Sequence, residues 1–287
     1  MGNQMFQWAA GRYLSTKLRV ALKLDLEFLL DRTPRANFTF RDYDLDVFQI
    51  EPEFADPEDR EWFRSKHDLA SRFRSKLKRS LSGSRLVKER FFHFDPDVLQ
   101  ARDFSYLDGY WQSEKYFQTI EKEIRQDFQF REGLSQAGAS LAREIRASNS
   151  ICLNVRRGDF VANPEAAEFH GVMGLDYFTS AVLKLQELVP SGLEAFVFSD
   201  DIEWCEEHLK LPIPMRVVSH AFKGYKFGQY LQLMSLCKHF IIPNSSFAWW
   251  AAWLSESPDK RVFAPKVWFA GSQEDTRDLI PANWIRI

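Results

Sequence analysis

Five short and nearly continuous apolar runs punctuate the second half of the chain: ICLNV (151–155), EAFVFS (194–199), MRVVS (215–219), HFIIP (239–243) and RVFAP (261–265). They are rich in β-branched and aromatic residues and lack a polar residue at every second position. A strand of that kind must be covered on both faces, which is the condition of a strand inside a parallel sheet. Helical patterns near 175–189, 201–209, 227–237 and 246–255 lie between the runs. Repeated βα units of this length predict a doubly wound parallel sheet. Ligands of such sheets bind beyond the carboxyl ends of the strands. Residues 154–160 and 243–247 stand at two of those ends.

The first half carries less regular grammar. MFQWAAGRYLSTKL is helical in pattern, RVALKLD (19–25) reads as a strand, and residues 31–60, rich in Pro, Asp and Phe, read as loops with short strands. This single βα unit predicts a second Rossmann-like domain whose first strand is missing from the sequence, giving domains 1–147 and 148–287. Residues 64–90 hold ten Lys or Arg against two acidic residues, with Leu69, Phe73, Leu77 and Leu81 forming one apolar stripe on a basic helix. One reading is peripheral docking on an anionic membrane surface. The other is a solvated helix laid against its own domain through that stripe.

Bulk properties exclude several classes. With 287 residues and 45% hydrophobic content the chain can bury a full core, and a net charge of −2 argues against a nucleic-acid binder. Any anionic ligand must therefore be met locally. Cys152, Cys205 and Cys237 are odd in number and set in apolar surroundings, which fits buried thiols in a reducing, cytoplasmic compartment rather than disulfides or a zinc site. The longest apolar run, FAWWAAWL (247–254), is too short to span a bilayer, and the opening residues lack a signal-peptide core.

Arg156 and Arg157 end the first apolar run in NVRRGDF. A guanidinium is a planar fork of donors that matches phosphate oxygens and stays charged at any working pH. Alternation at a strand end predicts that one arginine, Arg156, faces the ligand cleft while Arg157 turns into the domain. The same two residues also fit structural ion pairs with Asp159 or Asp200. In PNSSFAWWAAWL, Asn244, Ser245 and Ser246 stand between a strand and a helix, where a hydroxyl caps the helix and its N-terminus forms an anion site. Asp200 and Asp201 in FSDDIEW offer a metal ligand, an acceptor for a ribose or purine, or a helix start. At the beginning, Asn3 and Gln4 in GNQMF present amides just before a helix. The six histidines form no pair at ligand spacing, and no metal site is expected.

Taken together, GNQMFQWAAGRYL, LDGYWQSEKYF (107–117), RRGDF, LMSLCKHFIIPNSSFAWWAAWL (233–254) and DLIPANWIRI (278–287) resemble the bacterial branch of the α-1,2-fucosyltransferases, glycosyltransferase family 11, over nearly the whole chain. The resemblance implies a GT-B-like α/β fold with the donor in the C-terminal domain. It also implies GDP-fucose as donor and inverting, metal-independent transfer to the 2-hydroxyl of a galactose-terminated surface glycan such as an O-antigen. It assigns Arg156 to the donor diphosphate, Asp200 to the guanine or ribose, Ser245, Ser246 and Phe247 to the phosphate and base pocket, and Asn3 and Gln4 to the neighbourhood of the donor. The acceptor proton needs a base, for which Asp159, Glu165 and His170 follow Arg156 in the same loop. Asn154 stands where the family signature has a histidine, and Tyr230 where an aspartate is common. Two further readings are another nucleotide-sugar transferase of the same architecture and a nucleotide-binding protein without turnover.

Overall fold

A computed structural model of the chain describes residues 1–35, 40–61, 63, 85–158, 171–189, 191–271 and 274–287. The chain forms two compact units. One holds Met1, Asn3–Phe128 and the returning segment Asp275–Leu279; the other holds Gly2, Gln129–Glu274 and Ile280–Ile287.

The first unit is built from helix α1 (Gly2–Leu18), strand β1 (Lys23–Leu24), α2 (Glu27–Leu30), β2 (Glu53–Phe54), α3 (Pro57–Glu61), β3 (Arg85–Lys88), β4 (Ser105–Asp108) and α4 (Glu121–Asp127). Met5, Phe6, Ala9, Ala10 and Leu14 form the buried stripe of α1. The helix stops at Arg19, which takes a left-handed φ of 58° and donates its N–H to Ser15. This cap corrects the strand expected over 19–25: only Lys23 and Leu24 pair, with Glu53 and Phe54. The basic helix expected over 64–90 is corrected at its end, because Arg85–Lys88 pairs in parallel with Ser105–Asp108 and half-buries the β-forming Leu86 and Val87. The rest of that segment, with Leu69, Phe73, Leu77 and Leu81, lies outside the described residues.

The second unit carries α5 (Gln136–Ala147), β5 (Asn149–Val155), α6 (Leu175–Leu188), β6 (Leu193–Ser199), α7 (Ile202–His208), β7 (Met215–Val217), α8 (Gly228–Ser235), β8 (His239–Ile241), α9 (Ser246–Leu254), β9 (Val262–Ala264) and β10 (Ile285–Arg286). Its strands form one six-stranded sheet in the order β10-β9-β8-β5-β6-β7, with every pairing parallel. All five apolar runs become strands, and the closing residues add a sixth. The chain starts at β5, moves outward through β6 and β7, and returns to the other side of β5 for β8. The order therefore reverses between β5 and β8.

Burial explains the winding. Ile151, Leu153 and Val155 of β5, with Ala195 and Val197 of β6, pack in one core with Phe178, Ala181, Val182 and Leu185 of α6. On alternate positions Phe198 meets Tyr230 of α8, ring centroids 5.3 Å apart, so helices cover both faces. Helix α9 is buried almost all round, with Trp249, Trp250 and Trp253 inside and Trp249 against Trp284 at 5.4 Å. FAWWAAWL is thus a core helix, and among the described residues no helix is long and apolar enough to cross a membrane. Lys260 closes the end of α9 by donating Nζ to the carbonyls of Ala252 and Ser255, each at 2.8 Å.

At the start of β8, His239 is buried and its Nδ1 accepts the Arg261 N–H at 3.2 Å. Burial, reinforced by the charges of Arg261 and Lys238, holds this imidazole below its ordinary value of 6.5. The folded chain keeps His239 neutral while the unfolded chain takes up a proton, so this contribution to stability is present above the ordinary imidazole value and lost as pH falls below it. Urea midpoints of the parent should drop on acidification through about pH 6.5, the reference imidazole value. A His239→Gln variant should show a shallower drop over the same range, and parallel curves would exclude His239 as the source.

Candidate functional site

The reversal of strand order between β5 and β8 opens a crevice beyond their carboxyl ends. Register places the two ends side by side, with Leu153 opposite Ile241. The chain leaves β5 as Arg156-Arg157-Gly158 and leaves β8 as Ile242-Pro243-Asn244-Ser245 into α9. These are the two stretches that the sequence pattern singled out.

Both exits are tightly fastened. Asn154, at the position of the family's histidine, is buried and donates Nδ2 to the Phe198 carbonyl at 2.9 Å, tying β5 to β6. Tyr177 donates its hydroxyl to the Ile242 carbonyl at 2.6 Å, and Asn244 donates Nδ2 to the Trp268 carbonyl at 3.1 Å. Ser245 caps α9, its Oγ accepting the Ala248 N–H at 3.4 Å. Helix geometry leaves the first-turn N–H groups of Ser246 and Phe247 without intrahelical acceptors, and both residues are half-buried.

Two adjacent arginines meet two adjacent aspartates. Arg156 Nη1 lies 2.8 Å from Asp200 Oδ2, a charge contact rather than an aligned hydrogen bond. Arg157 donates its backbone N–H to Asp200 Oδ1 at 2.9 Å and its Nε to Asp201 Oδ2 at 3.2 Å. The Arg157 guanidinium also lies 3.9 Å from the Trp204 ring centroid, within cation–π range. Asp201 in turn caps α7 by accepting the Trp204 N–H at 3.2 Å. Gly158 packs closely on this arrangement: a Cβ there would stand 2.9 Å from Asp200 Oδ2, so a larger residue would have to displace that carboxylate. Arg157 therefore braces the loop, while Arg156 stands at the strand end with Asp200 as counter-charge, the ion pairing that the sequence offered as the other reading of these arginines.

The remaining expected residues divide between the units. Asn3 and Gln4 lie in the first unit, where Asn3 Oδ1 accepts from Gln112 Nε2 at 2.8 Å. The Gln4 amide is engaged at both ends, donating to the Asp42 carbonyl at 2.7 Å and accepting the Asp44 N–H at 2.9 Å. Asp159, Glu165 and His170 lie outside the described residues. Tyr230, in place of the expected aspartate, is buried and donates to the Val218 carbonyl at 2.6 Å, with burial pushing its phenol up.

Sequence reasoning missed Gly158, Trp204 and Gly2. Gly2, which groups with the second unit, accepts Trp250 Nε1 on its carbonyl at 3.1 Å, and a Cβ on it would lie 2.5 Å from the Ser246 carbonyl carbon. The glycine of GNQ is thus required for close backbone approach. Burial pushes the Cys205 thiol up to about 11, which keeps it neutral and unreactive. Among the described residues no three of His, Cys, Asp and Glu gather as a metal cluster.

Comparison with known proteins gives this geometry a context. Residues 66–287 match the glycosyl transferase family 11. The chain is 32% identical to an alpha-1,2-colitosyltransferase of Escherichia coli over 289 residues, covering 100% of this chain and 96% of that protein. It is also 32% identical to the O-antigen biosynthesis glycosyltransferase WbnK of Escherichia coli over 300 residues, covering 100% and 97%. Among solved structures, the fucosyltransferase NodZ from Bradyrhizobium aligns with a TM-score of 0.50 at 18% identity, covering 88% of this chain and 87% of that one. This likeness concerns the fold, which is α/β and GT-B-like.

If Arg157 is a brace, Arg157→Lys should lose the planar contact with Trp204 and the directed bond to Asp201. A loss of about 1 kcal/mol is expected for a cation–π contact of this kind. Thermal melts should show the variant clearly below the parent. An unchanged melting temperature would remove Arg157 from this role.

Proposed function

We propose that this chain, which belongs to glycosyl transferase family 11, transfers L-fucose from GDP-fucose to the 2-hydroxyl of a galactose-terminated glycan, with inversion at the transferred carbon. Its membership makes it a glycosyltransferase that takes a nucleotide-sugar donor and a glycan acceptor. The diphosphate part of this reading is supported above all by Arg156, which directly follows β5, the strand paired with the β8 that leads into α9; the choice of fucose and galactose is supported by the resemblance.

In this reading the acceptor O2 attacks the sugar's C1 from the face opposite the diphosphate. The C1–O bond breaks with its electron pair leaving on GDP, and the acceptor proton passes to a base. Negative charge grows on the departing phosphate, where a guanidinium and a helix N-terminus stabilise it without reorganising. Asp200 orients Arg156 before the donor arrives, and the diphosphate then competes for the same guanidinium. Ser245, Ser246 and Phe247 complete the donor's surroundings in the expectation drawn from the sequence. The arrangement supplies its positive charge from protein groups, so we read the transfer as metal-independent.

One observation favours a second donor. A relative at 32% identity is a colitosyltransferase with the same 1,2 linkage, and colitose is fucose without its 3-hydroxyl. Incubation with GDP-fucose or GDP-colitose and a panel of β-galactosides separates the readings. Higher kcat/KM with GDP-fucose is expected; the reverse order gives the colitosyl reading, and donor binding without transfer to any acceptor leaves only a nucleotide-binding protein.

Two further outcomes are expected. Arg156→Lys keeps a charge but loses the two-pronged contact, at about 2–4 kcal/mol in transition-state stabilisation. GDP titration and kcat should both fall, and parental values would move the diphosphate site away from Arg156. Transfer should persist in EDTA; loss that Mg²⁺ or Mn²⁺ restores would overturn the metal-independent mechanism.

A further inference from the structure

In the first unit, β3 and β4 end side by side, and the chain turns there through Gly109-Tyr110-Trp111-Gln112. This turn is held from every side. Glu89, the residue after β3, accepts the Tyr110 N–H on Oε2 and the Trp111 N–H on Oε1, each at 2.8 Å. Gln7 Nε2 donates to the Gly109 carbonyl at 2.8 Å, and Gln112 Nε2 donates to Asn3 Oδ1 at 2.8 Å. Gly109 has no room for a side chain, since a Cβ would stand 2.4 Å from Glu89 Cβ. Trp111 is buried at 1% exposure with its ring 5.8 Å from Tyr116, and takes a left-handed φ of 59°.

A non-glycine residue at positive φ and a carboxylate drawn partly out of water both cost free energy. Burial pushes the Glu89 carboxyl up, against the two N–H bonds that favour its charge. What these costs present is Tyr110, 48% exposed and, among the described residues, without a side-chain partner. A large ring carried on a held backbone turn at the carboxyl ends of parallel strands is a ready platform, because little backbone entropy remains to be lost on binding and the side chain has only two torsions.

The surroundings define the ligand. Lys88 and Asp108, the last residues of the two strands, lie 3.4 Å apart and offset each other, and the Glu89 carboxylate is spent on two backbone N–H groups, so these strand ends favour a neutral molecule. The amides of Gln7 and Gln112 flank the turn and suit hydroxyl groups rather than a hydrocarbon surface. We propose that Tyr110 is the stacking platform for the acceptor glycan, taking the face of a galactose on which the C–H bonds of C3, C4 and C5 lie together. Glu89 holds the backbone that carries the ring. This inference rests on the glycosyl-transfer reading and adds to it the surface that selects the acceptor.

The test compares the full-length parent with Tyr110→Ala and Tyr110→Phe, using β-galactosides, GDP titration and thermal melts. Tyr110→Ala should raise the acceptor KM roughly five- to ten-fold, as loss of an aromatic contact does, and Tyr110→Phe should stay within about two-fold because the ring is kept. GDP affinity and melting temperature should match the parent in both. An acceptor KM for Tyr110→Ala within two-fold of the parent overturns the proposal while leaving the transfer reading intact. A raised KM that comes with lost stability or GDP affinity overturns it also. If the parent transfers to no galactoside, the functional reading fails by itself, and saturation-transfer NMR with free galactosides decides the platform. Ring-proton signals present with the parent and lost in Tyr110→Ala sustain it; signals absent from the parent, or equal in both, reject it.

Discussion

A strand buried on both faces and bonded on both edges is the constraint from which the second unit follows. β5 lies between β6 and β8 with its last six residues buried, so its backbone groups are satisfied only if both neighbours are in register. That requirement puts the return of the chain beside β5 and creates the crevice. It also decides where charge can appear, since the first positions at which β5 can carry an exposed cation are those after Val155. The crevice is placed here by the sheet's hydrogen bonding before any side chain is considered.

The paired arginines and aspartates serve two ends with one set of contacts. A single arginine in this position would be free to fold back over the sheet. Here Arg157 is fixed by Asp201 and Trp204, and Asp200 ties the backbone of Arg157 to the side chain of Arg156. The angle of Arg156 is thereby coupled to the β6–α7 turn. Substitutions in that turn act on the cleft through a carboxylate, without touching a ligand.

The second unit was legible because parallel strands buried on both faces leave continuous apolar runs, and five of six could be read that way. The sixth, Ile285–Arg286, is two residues long and has no pattern to detect. Over 19–25 local propensity favoured a strand, yet the left-handed cap at Arg19 left only two residues to pair. The pairing of these arginines with Asp200 followed from the sequence as one of its two readings. The close approach at Gly158 did not, because it arises from the Asp200 carboxylate, brought near by the β5–β6 pairing. Glu89 and Tyr110 are 21 residues apart, and nothing local marks their contact.

Helix α9 has a further consequence through its opposite ends. Its body, Ala248 to Trp253, is buried in the unit's core, so water is kept from its middle turns and cannot polarise against the aligned peptide groups there. Lys260 sits on the terminal carbonyls and compensates the negative pole with a full charge. The positive pole, capped among the described residues by the neutral Ser245, carries the uncancelled part of the field into the crevice. A residue some distance along the chain thus makes α9 behave electrically as a one-ended source, and the anion-attracting potential of the cleft belongs to the helix as a whole.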